Sequence, residues 1–182
     1  MPRDLVVTTP KSEMAKAAEE AAWARRQRGG PRTLYFRRIG TVPKEAGTGS
    51  RLFYVEDGYV RGFCTLLGVD TDGSGYCDVT NRDWGEGPQL VMRADSWKWI
   101  VPIPLKGFQG WRYWPPNALL DNHICCPLII VIGDWRAKRP VKCRSCDGTG
   151  ECTMCGDDGE ECSWCFGDGC PDCGGYGWVV PE

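Results

Sequence analysis

The sequence predicts an α+β protein: a small β-barrel preceded by one helix and followed by a compact cysteine-rich module with little regular secondary structure. The helix is predicted from an Ala-, Glu-, Lys- and Arg-rich segment, and the barrel from the short aromatic and β-branched runs that follow it. The module is predicted because eight of the twelve cysteines fall between Cys143 and Cys173. We therefore expect three parts: residues 1–30 as arm and helix, 31–139 as barrel, and 140–182 as module.

The helical segment follows Thr9-Pro10, a hydroxyl residue before a proline, which is typical of a capped helix start. Good helix formers dominate residues 11–27, and Gly29-Gly30-Pro31 ends the pattern. Residues 1–8 lie before this start, and we expect them to form an extended arm.

Short runs of aromatic and β-branched residues predict strands in the middle of the chain. Turn sequences such as Glu56-Asp57-Gly58 separate some of these runs. Because the runs are short and helices are few, a small barrel or compact sheet is favoured. The predicted strands are 34–36, 52–55, 59–67, 90–92 and 128–132.

The sequence also indicates a cellular compartment. No apolar run approaches the ~20 residues of a membrane span. The N-terminus, Met1-Pro2-Arg3-Asp4-Leu5, lacks the apolar stretch of a secretory signal. We therefore expect a cytoplasmic protein without a membrane partner. In a reducing compartment, closely spaced cysteine pairs indicate a metal site far more often than disulfides.

Four Cys-x-x-Cys knuckles follow one another at intervals of 9, 10 and 8 residues. Two residues between cysteines let both sulfurs turn onto one metal ion, and two such knuckles complete the tetrahedral shell of four thiolates that structural zinc adopts. We therefore expect the chain to bind two Zn²⁺ ions. The candidate ligands are Cys143, Cys146, Cys152, Cys155, Cys162, Cys165, Cys170 and Cys173.

Glycines follow the knuckles in the pattern Cys-x-x-Cys-x-Gly-x-Gly, as at Gly148 and Gly150, although Asp157 replaces the first glycine after the second knuckle. Residues 143–177 thereby resemble the cysteine-rich domain of DnaJ-type chaperones. The resemblance implies that the outer two knuckles share one zinc ion and the inner two share the other. Its two ligand sets are Cys143, Cys146, Cys170 and Cys173, and Cys152, Cys155, Cys162 and Cys165. Pairing of sequential knuckles is the alternative that the sequence leaves open.

The two ends of the chain differ in charge. Residues 1–61 contain 12 Lys and Arg against 7 Asp and Glu, a net charge of +5, whereas residues 143–182 contain 1 against 9, a net charge of −8. An acidic surface repels phosphate backbones. We therefore expect the module to be a structural or protein-docking element, and any nucleic-acid contact to lie in the barrel.

Tryptophans and cations alternate in the middle of the chain, as in Arg93-Ala-Asp-Ser-Trp97-Lys-Trp99. Exposed rings stack on bases while Arg and Lys contact phosphates, so this pattern predicts a nucleic-acid or base-binding surface. The alternative is that the rings fill the barrel core. The candidate binding residues are Arg61, Trp84, Arg93, Trp97, Trp99, Lys106, Trp111, Arg112 and Tyr113.

A second resemblance rests on the segments 59–63 and 106–113, which read Tyr-Val-Arg-Gly-Phe and Lys-Gly-Phe-Gln-Gly-Trp-Arg-Tyr. They look like the PUA-like superfamily, which includes the ASCH and EVE domains. The resemblance implies a small β-barrel with flanking helices, in a superfamily of which many members bind RNA or modified bases.

The sequence therefore favours a zinc-containing, non-enzymatic protein whose barrel recognises nucleic acid or a base, including a modified nucleotide. One alternative is a protein-interaction or co-chaperone-like role in which the acidic zinc module binds a protein partner. A third is nucleoside amide hydrolysis of the ASCH type, which requires a Lys and a carboxylate converging in one pocket.

Overall fold

In a computed structural model of the chain, the structure describes residues 2–26, 34–77, 79–115, 131–134, 139, 141–149, 170, 172–173 and 176–179. The chain divides into two compact units, residues 1–136 and residues 137–182. We call the first unit the β domain and the second the cysteine module.

Among its described residues, the β domain combines strands with one α-helix and two short 3₁₀ helices. Helix α1 spans Met14–Arg26 and directly follows a 3₁₀ helix at Lys11–Glu13, and a second 3₁₀ helix spans Ala94–Ser96. The strands are β1 (Leu5–Thr8), β2 (Leu34–Arg38), β3 (Arg51–Glu56), β4 (Tyr59–Asp70), β5 (Ser74–Cys77), β6 (Arg82–Glu86), β7 (Gln89–Arg93), β8 (Lys98–Pro104), β9 (Trp111–Tyr113) and β10 (Val131–Asp134).

Strand β1 lies inside the main sheet although it comes first in the chain. It pairs in parallel with β3 and antiparallel with β9, in the strand order β10-β8-β4-β3-β1-β9. Strand β4 is 12 residues long, and its first half pairs with β8 while its second half pairs with β7, which in turn pairs with β2. The sheet therefore branches along β4.

Alternate side chains of the main sheet enter two different hydrophobic cores, as the two-residue period of a strand requires. The first core contains side chains from β1, β3, β4 and β7, so the branch formed by β2 and β7 encloses it together with the main sheet. Its buried members are Leu5, Val7, Ile39, Leu52, Cys64, Leu66, Leu90 and Met92. The second core lies on the opposite face, and its buried members are Val6, Phe53, Val55, Val60, Phe63, Ile100, Leu105 and Trp114.

The turn between β3 and β4 confirms the predicted Glu56-Asp57-Gly58 turn. Glu56 pairs with Tyr59, and the two intervening residues, Asp57 and Gly58, have φ angles of 51° and 79°. Two positive φ angles in a two-residue loop match the twist of an antiparallel hairpin, and Asp-Gly adopts them at low cost.

Strands β5 and β6 form a separate hairpin that is attached to the rest of the domain by polar contacts. The Arg38 guanidinium donates hydrogen bonds to the carbonyl oxygens of Gly73, Gly85 and Gly87 at 3.3, 3.0 and 2.9 Å. On the helix side, Arg82 forms an ion pair with Glu13. Polar contacts therefore fix the hairpin to β2 and to the start of the helix.

The α+β fold class is confirmed, and the N-terminal region requires two corrections. Residues 5–8 form a strand with Leu5 and Val6 entirely buried, so part of the predicted arm is in fact an internal strand of the sheet, between β3 and β9. Thr9 does not cap the helix: Pro10 is the capping position and no side chain bonds there, while the Thr9 amide donates to the Val55 carbonyl at 2.9 Å. Thr9 therefore prolongs strand pairing.

Within the residues that the structure describes, no helix has the length and apolar character to span a membrane.

The described residues of the cysteine module include a small two-stranded ladder. Strand β11 (Val141–Lys142) pairs antiparallel with β12 (Trp178–Val179), with Val141 opposite Val179 and Lys142 opposite Trp178. This ladder joins the two ends of the module next to the first and last cysteine knuckles.

Candidate metal centre and nucleic-acid interface

The outer two cysteine knuckles meet in one cluster. The sulfur atoms of Cys143, Cys146, Cys170 and Cys173 all lie within 4.8 Å of one another, and all four residues are buried. The Sγ–Sγ distances are 3.8 Å for Cys143–Cys170 and 3.8 Å for Cys146–Cys173. The cluster therefore has the donor set and the size of a four-thiolate metal site.

The backbone around the cluster supports the thiolates. The Gly177 amide donates to Cys173 Sγ at 3.1 Å, and the Gly177 carbonyl accepts a bond from the Cys143 amide at 2.9 Å. Gly177 has a φ of 72°, and a Cβ atom there would lie 2.3 Å from the Gly148 carbonyl oxygen. Glycine is required at this position both by the backbone conformation and by the close approach of the two knuckles.

The distances also allow a test of which metal fits. Zn–S bonds of about 2.3 Å in a tetrahedron place sulfur atoms about 3.8 Å apart, which is the separation found here. Burial raises the pKa of Cys170 to about 12 and also raises that of Cys173. A bound divalent cation would offset this cost because it stabilises the thiolate form. The residues present therefore fit a structural Zn²⁺ ion.

The predicted grouping of Cys143, Cys146, Cys170 and Cys173 is thus confirmed, and it excludes sequential pairing for the outer knuckles. The predicted second set, Cys152, Cys155, Cys162 and Cys165, lies outside the described residues. Of the β-domain cysteines that the structure describes, Cys64 is fully buried in the first core, and the half-buried Cys77 donates to Glu20 at 3.3 Å.

The predicted base-binding residues lie in several places, and the first group surrounds Trp97. Its ring contacts Tyr54 with centroids 5.3 Å apart and Trp99 with centroids 5.0 Å apart. A Cβ atom on Gly62 would lie 2.6 Å from the Trp97 ring, so the strand backbone lies directly against the indole. Trp97 packs against the first core, and Trp99 is only 8% exposed. Both rings therefore contribute to the core, as the alternative interpretation expected.

Strand β9 divides its predicted residues between two faces. Trp111 and Tyr113 pack against the first core, with ring centroids 5.2 Å apart, and Trp111 Nε1 donates to the Thr41 carbonyl at 2.8 Å. Arg112 is exposed, and its guanidinium lies 4.3 Å from the centroid of the Phe108 ring, which packs against the second core. Arg112 thus lies on the opposite face of the sheet from the two rings that flank it in sequence.

The remaining predicted residues occupy separate positions. Trp84 belongs to the β5–β6 hairpin, and the Arg82 guanidinium covers its ring at 3.8 Å. Arg61 is buried, with its guanidinium 4.9 Å from the centre of the Tyr59 ring. Lys106 is exposed in the loop between β8 and β9, and Arg93 is exposed at the end of β7. The nine residues therefore do not form one continuous surface, and their role in binding stays a prediction.

A groove beside Arg93 brings together segments that sequence reasoning did not connect. It is open to solvent and has a volume of about 380 Å³. Arg93 is paired there with Asp95: Nε donates to Oδ1 at 2.8 Å, and Nη2 donates to Oδ2. No local pattern marks this site because its walls come from separate chain segments. The lining residues are Thr48, Gly49, Thr65, Leu66, Leu67, Arg93, Asp95 and Ser96.

No family model matches the sequence, and no curated protein matches it. Two solved structures do: the ASCH protein from Zymomonas mobilis and a serine-to-alanine mutant of it, each 18% identical to this chain with a TM-score of 0.40. The alignments cover 66% and 68% of this chain and 94% and 97% of those chains. At this identity and TM-score the likeness carries no conclusion about function.

Proposed function

We propose that the protein is a cytoplasmic, zinc-containing binding protein in which zinc shapes the C-terminal module and the β domain recognises nucleic acid or a base. The observation that carries the metal part is the buried cluster of four cysteine sulfurs, which all lie within 4.8 Å of one another, with two of the pairs 3.8 Å apart. Four thiolates complete the shell of the ion and leave no position for water, so the metal is structural and not catalytic. A second ion is held by the inner knuckles.

Metal analysis of the purified protein tests this directly. We expect two zinc ions per chain, and we expect Cys143→Ser to lose the outer ion. Cys77→Ser is the matched control because Cys77 lies in the β domain, and it should retain both ions. A metal content near zero in wild-type protein, measured after purification without chelator, would overturn the zinc proposal.

The nucleic-acid part of the proposal is supported by the distribution of charge. Residues 1–136 contain 18 Lys and Arg against 15 Asp and Glu, a net charge of +3, whereas residues 137–182 contain 4 against 9, a net charge of −5. Exposed cations such as Arg26, Lys44, Lys106 and Arg112 lie in the β domain. Positive charge attracts phosphates, and binding should weaken steeply with salt.

A titration of labelled DNA, RNA and free nucleotides at two salt concentrations tests this recognition. We expect measurable binding at low salt that weakens at high salt. Deletion of residues 137–182 should leave affinity unchanged or raise it, because the deletion removes net negative charge. Absence of binding at low salt would remove the nucleic-acid proposal.

A protein-docking role for the cysteine module is the second candidate. It is favoured by two exposed hydrophobic side chains, Val141 at 47% and Tyr176 at 45% exposure, on a module of acidic composition. A partner bound through this surface should be lost from the double variant Val141→Ser/Tyr176→Ser, with its zinc content unchanged. Retention of the partner would exclude these side chains as the docking surface.

A further inference from the structure

The branch of the sheet formed by β2, β7 and the second half of β4 has an unusually apolar solvent-facing surface. Leu34 lies opposite Arg93 and Phe36 opposite Val91, while Leu90 and Met92 face the first core. Leu34 and Phe36 are therefore directed away from the core, and each is 39% exposed. The open face of an antiparallel sheet is usually polar, so these exposed apolar side chains require an explanation.

Strand β4 extends this surface. Its register shifts between Leu66 and Gly68, so that Leu66 enters the first core while Leu67 is 42% exposed. Gly68 pairs with Val91, which places Leu67 next to the same row of outward side chains. We call the surface made by Leu34, Phe36, Leu67, Val91 and Arg93 the outer sheet face.

The groove of about 380 Å³ continues the outer sheet face, since Leu67 and Arg93 line both. The Arg93–Asp95 pair uses Nε and Nη2 of the guanidinium, and each carboxylate oxygen receives one hydrogen bond. Nη1 remains as a donor, and each oxygen can accept another bond. A donor and an acceptor side by side match the hydrogen-bonding edge of a nucleobase, while the exposed Leu67 side chain supplies an apolar contact for its face.

The charge of the segment that contains β2 indicates which class of ligand this surface could bind. Residues 25–44 contain seven Lys and Arg and no Asp or Glu. Arg37 and Arg38 of this segment donate to backbone carbonyl oxygens, whereas Arg26 and Lys44 are exposed. An apolar surface on a strand from such a segment is complementary to a ligand that joins flat apolar faces to negative charge. Single-stranded nucleic acid combines these two properties.

We infer that the outer sheet face and its groove form the contact surface for single-stranded nucleic acid, with Phe36 stacking on one base and the Arg93–Asp95 pair contacting the edge of another. This inference rests on the proposed nucleic-acid recognition. It places the binding site on the outer sheet face and not on the tryptophans that the sequence predicted. In a duplex the base faces are stacked on one another, so the surface selects single strands.

The test measures the anisotropy of labelled single-stranded RNA, single-stranded DNA and duplex with the full-length, zinc-loaded protein. Phe36→Ala should weaken single-strand binding by about 5- to 150-fold, the range for loss of one stacking ring. Tyr76→Ala is the matched control: Tyr76 is 57% exposed but lies on the β5–β6 hairpin, so affinity should not change. Arg93→Lys keeps the charge and removes the planar fork, so it should reduce discrimination among homopolymers more than overall affinity.

The outcomes separate this inference from the function on which it rests. No binding by wild-type protein would overturn both. Wild-type binding that survives Phe36→Ala and Arg93→Lys but is lost in Lys106→Ala/Arg112→Ala would overturn only the outer sheet face. A dimer in light scattering that becomes a monomer in Phe36→Ala would show the face to be a self-association surface and would also overturn the inference. Photo-crosslinking of wild-type protein gives a result independent of variant folding, and the crosslinked peptide should contain Phe36.

Discussion

The β domain and the cysteine module are stabilised in different ways. In the β domain, side chains such as Phe53, Leu5 and Met92 are completely buried in two cores on opposite faces of one sheet. In the described part of the module, the buried cluster consists of four cysteines, and the hydrophobic residue packed against it, Val179, is only half-buried. A unit of this size buries little apolar surface, and the proposed metal ion would take the place of a hydrophobic core.

This difference suggests a division of roles between the two units, in which the cysteines of the module serve its folding and the β domain provides the proposed binding surface. The module contains a buried cluster of four cysteines that can hold a metal ion and has a net negative charge, so we propose that its thiolates serve folding. The β domain has two hydrophobic cores of its own, and it retains exposed apolar side chains and Arg93 on the outer sheet face. Perturbations of the metal and of the sheet should therefore have independent effects.

The largest expected effect is the loss of metal from the module. Structural zinc contributes about 10–16 kcal/mol of apparent binding free energy in small domains, so Cys170→Ser or exhaustive chelation should unfold the module. Limited proteolysis should then cleave within residues 137–182 and leave the β domain intact. Cleavage of both units at the same rate would contradict the independence of the two regions.

The second effect is the converse, a change in the β domain that leaves zinc in place. Phe53 is fully buried, and its ring stacks on Trp114 with centroids 4.3 Å apart. Phe53→Ala should lower the free energy of unfolding by about 3–5 kcal/mol, measured by urea denaturation, with zinc content unchanged. Phe36→Ala serves as the control because Phe36 is partly exposed, and its cost should be much smaller. A loss of zinc from Phe53→Ala would show that the two units are coupled.

The two regions also differ in how well the sequence predicts them. The ligand cysteines were predictable because each knuckle carries its two ligands within four residues, whereas the grouping of the outer knuckles came from the resemblance to the DnaJ-type cysteine-rich domain. Strand β1 was not predictable, because Leu5–Thr8 gains its strand character from β3 and β9, which lie about 50 and 100 residues away. A short apolar segment before a helix contains no local sign of such partners.

Strand β8 was missed for a related reason. It contains Pro102 and Pro104, and proline within an apolar run argues against a central strand. In the structure β10 pairs with β8 only at residues 98–100, so the prolines lie where that side of β8 has no described partner strand.

The predicted binding residues lie apart for a similar reason. Neighbouring residues of a strand point to opposite faces of the sheet, so the face on which a side chain lies is known only once the strand register is known. The outward direction of Leu34 and Phe36, for example, follows from the register of β2 against β7.

The third effect tests the contact between the outer knuckles. Gly177→Ala would force a side chain into a φ of 72° and place its Cβ 2.3 Å from the Gly148 carbonyl oxygen. We expect a cost of about 1–3 kcal/mol, seen as an approximately 5- to 150-fold loss of zinc affinity in competition with a chelator. Gly47→Ala is the control, since nothing lies within 4 Å of a Cβ atom there, and it should bind zinc normally. Equal zinc affinities for the two variants would contradict the close packing of the knuckles.

The smallest expected effect concerns Cys64, which is buried in the first core of the β domain. Burial raises the pKa of Cys64 from 9.0 to about 12. Because the unfolded chain exposes this thiol at its ordinary pKa, rising pH deprotonates the unfolded state first and lowers the free energy of unfolding. The loss begins near pH 9 and amounts to about 1.4 kcal/mol per pH unit until the folded protein ionises near pH 12. Cys64→Ala removes this dependence.

The measurement is the difference in unfolding free energy between wild type and Cys64→Ala, taken from urea titrations between about pH 7 and pH 10. The difference should be constant below about pH 8 and should then shift in favour of the variant. The comparison cancels the contributions of other groups that titrate in both proteins. A constant difference up to about pH 10 would mean that water reaches Cys64, and the first core would then lack the dry interior that distinguishes the β domain from the metal-held module.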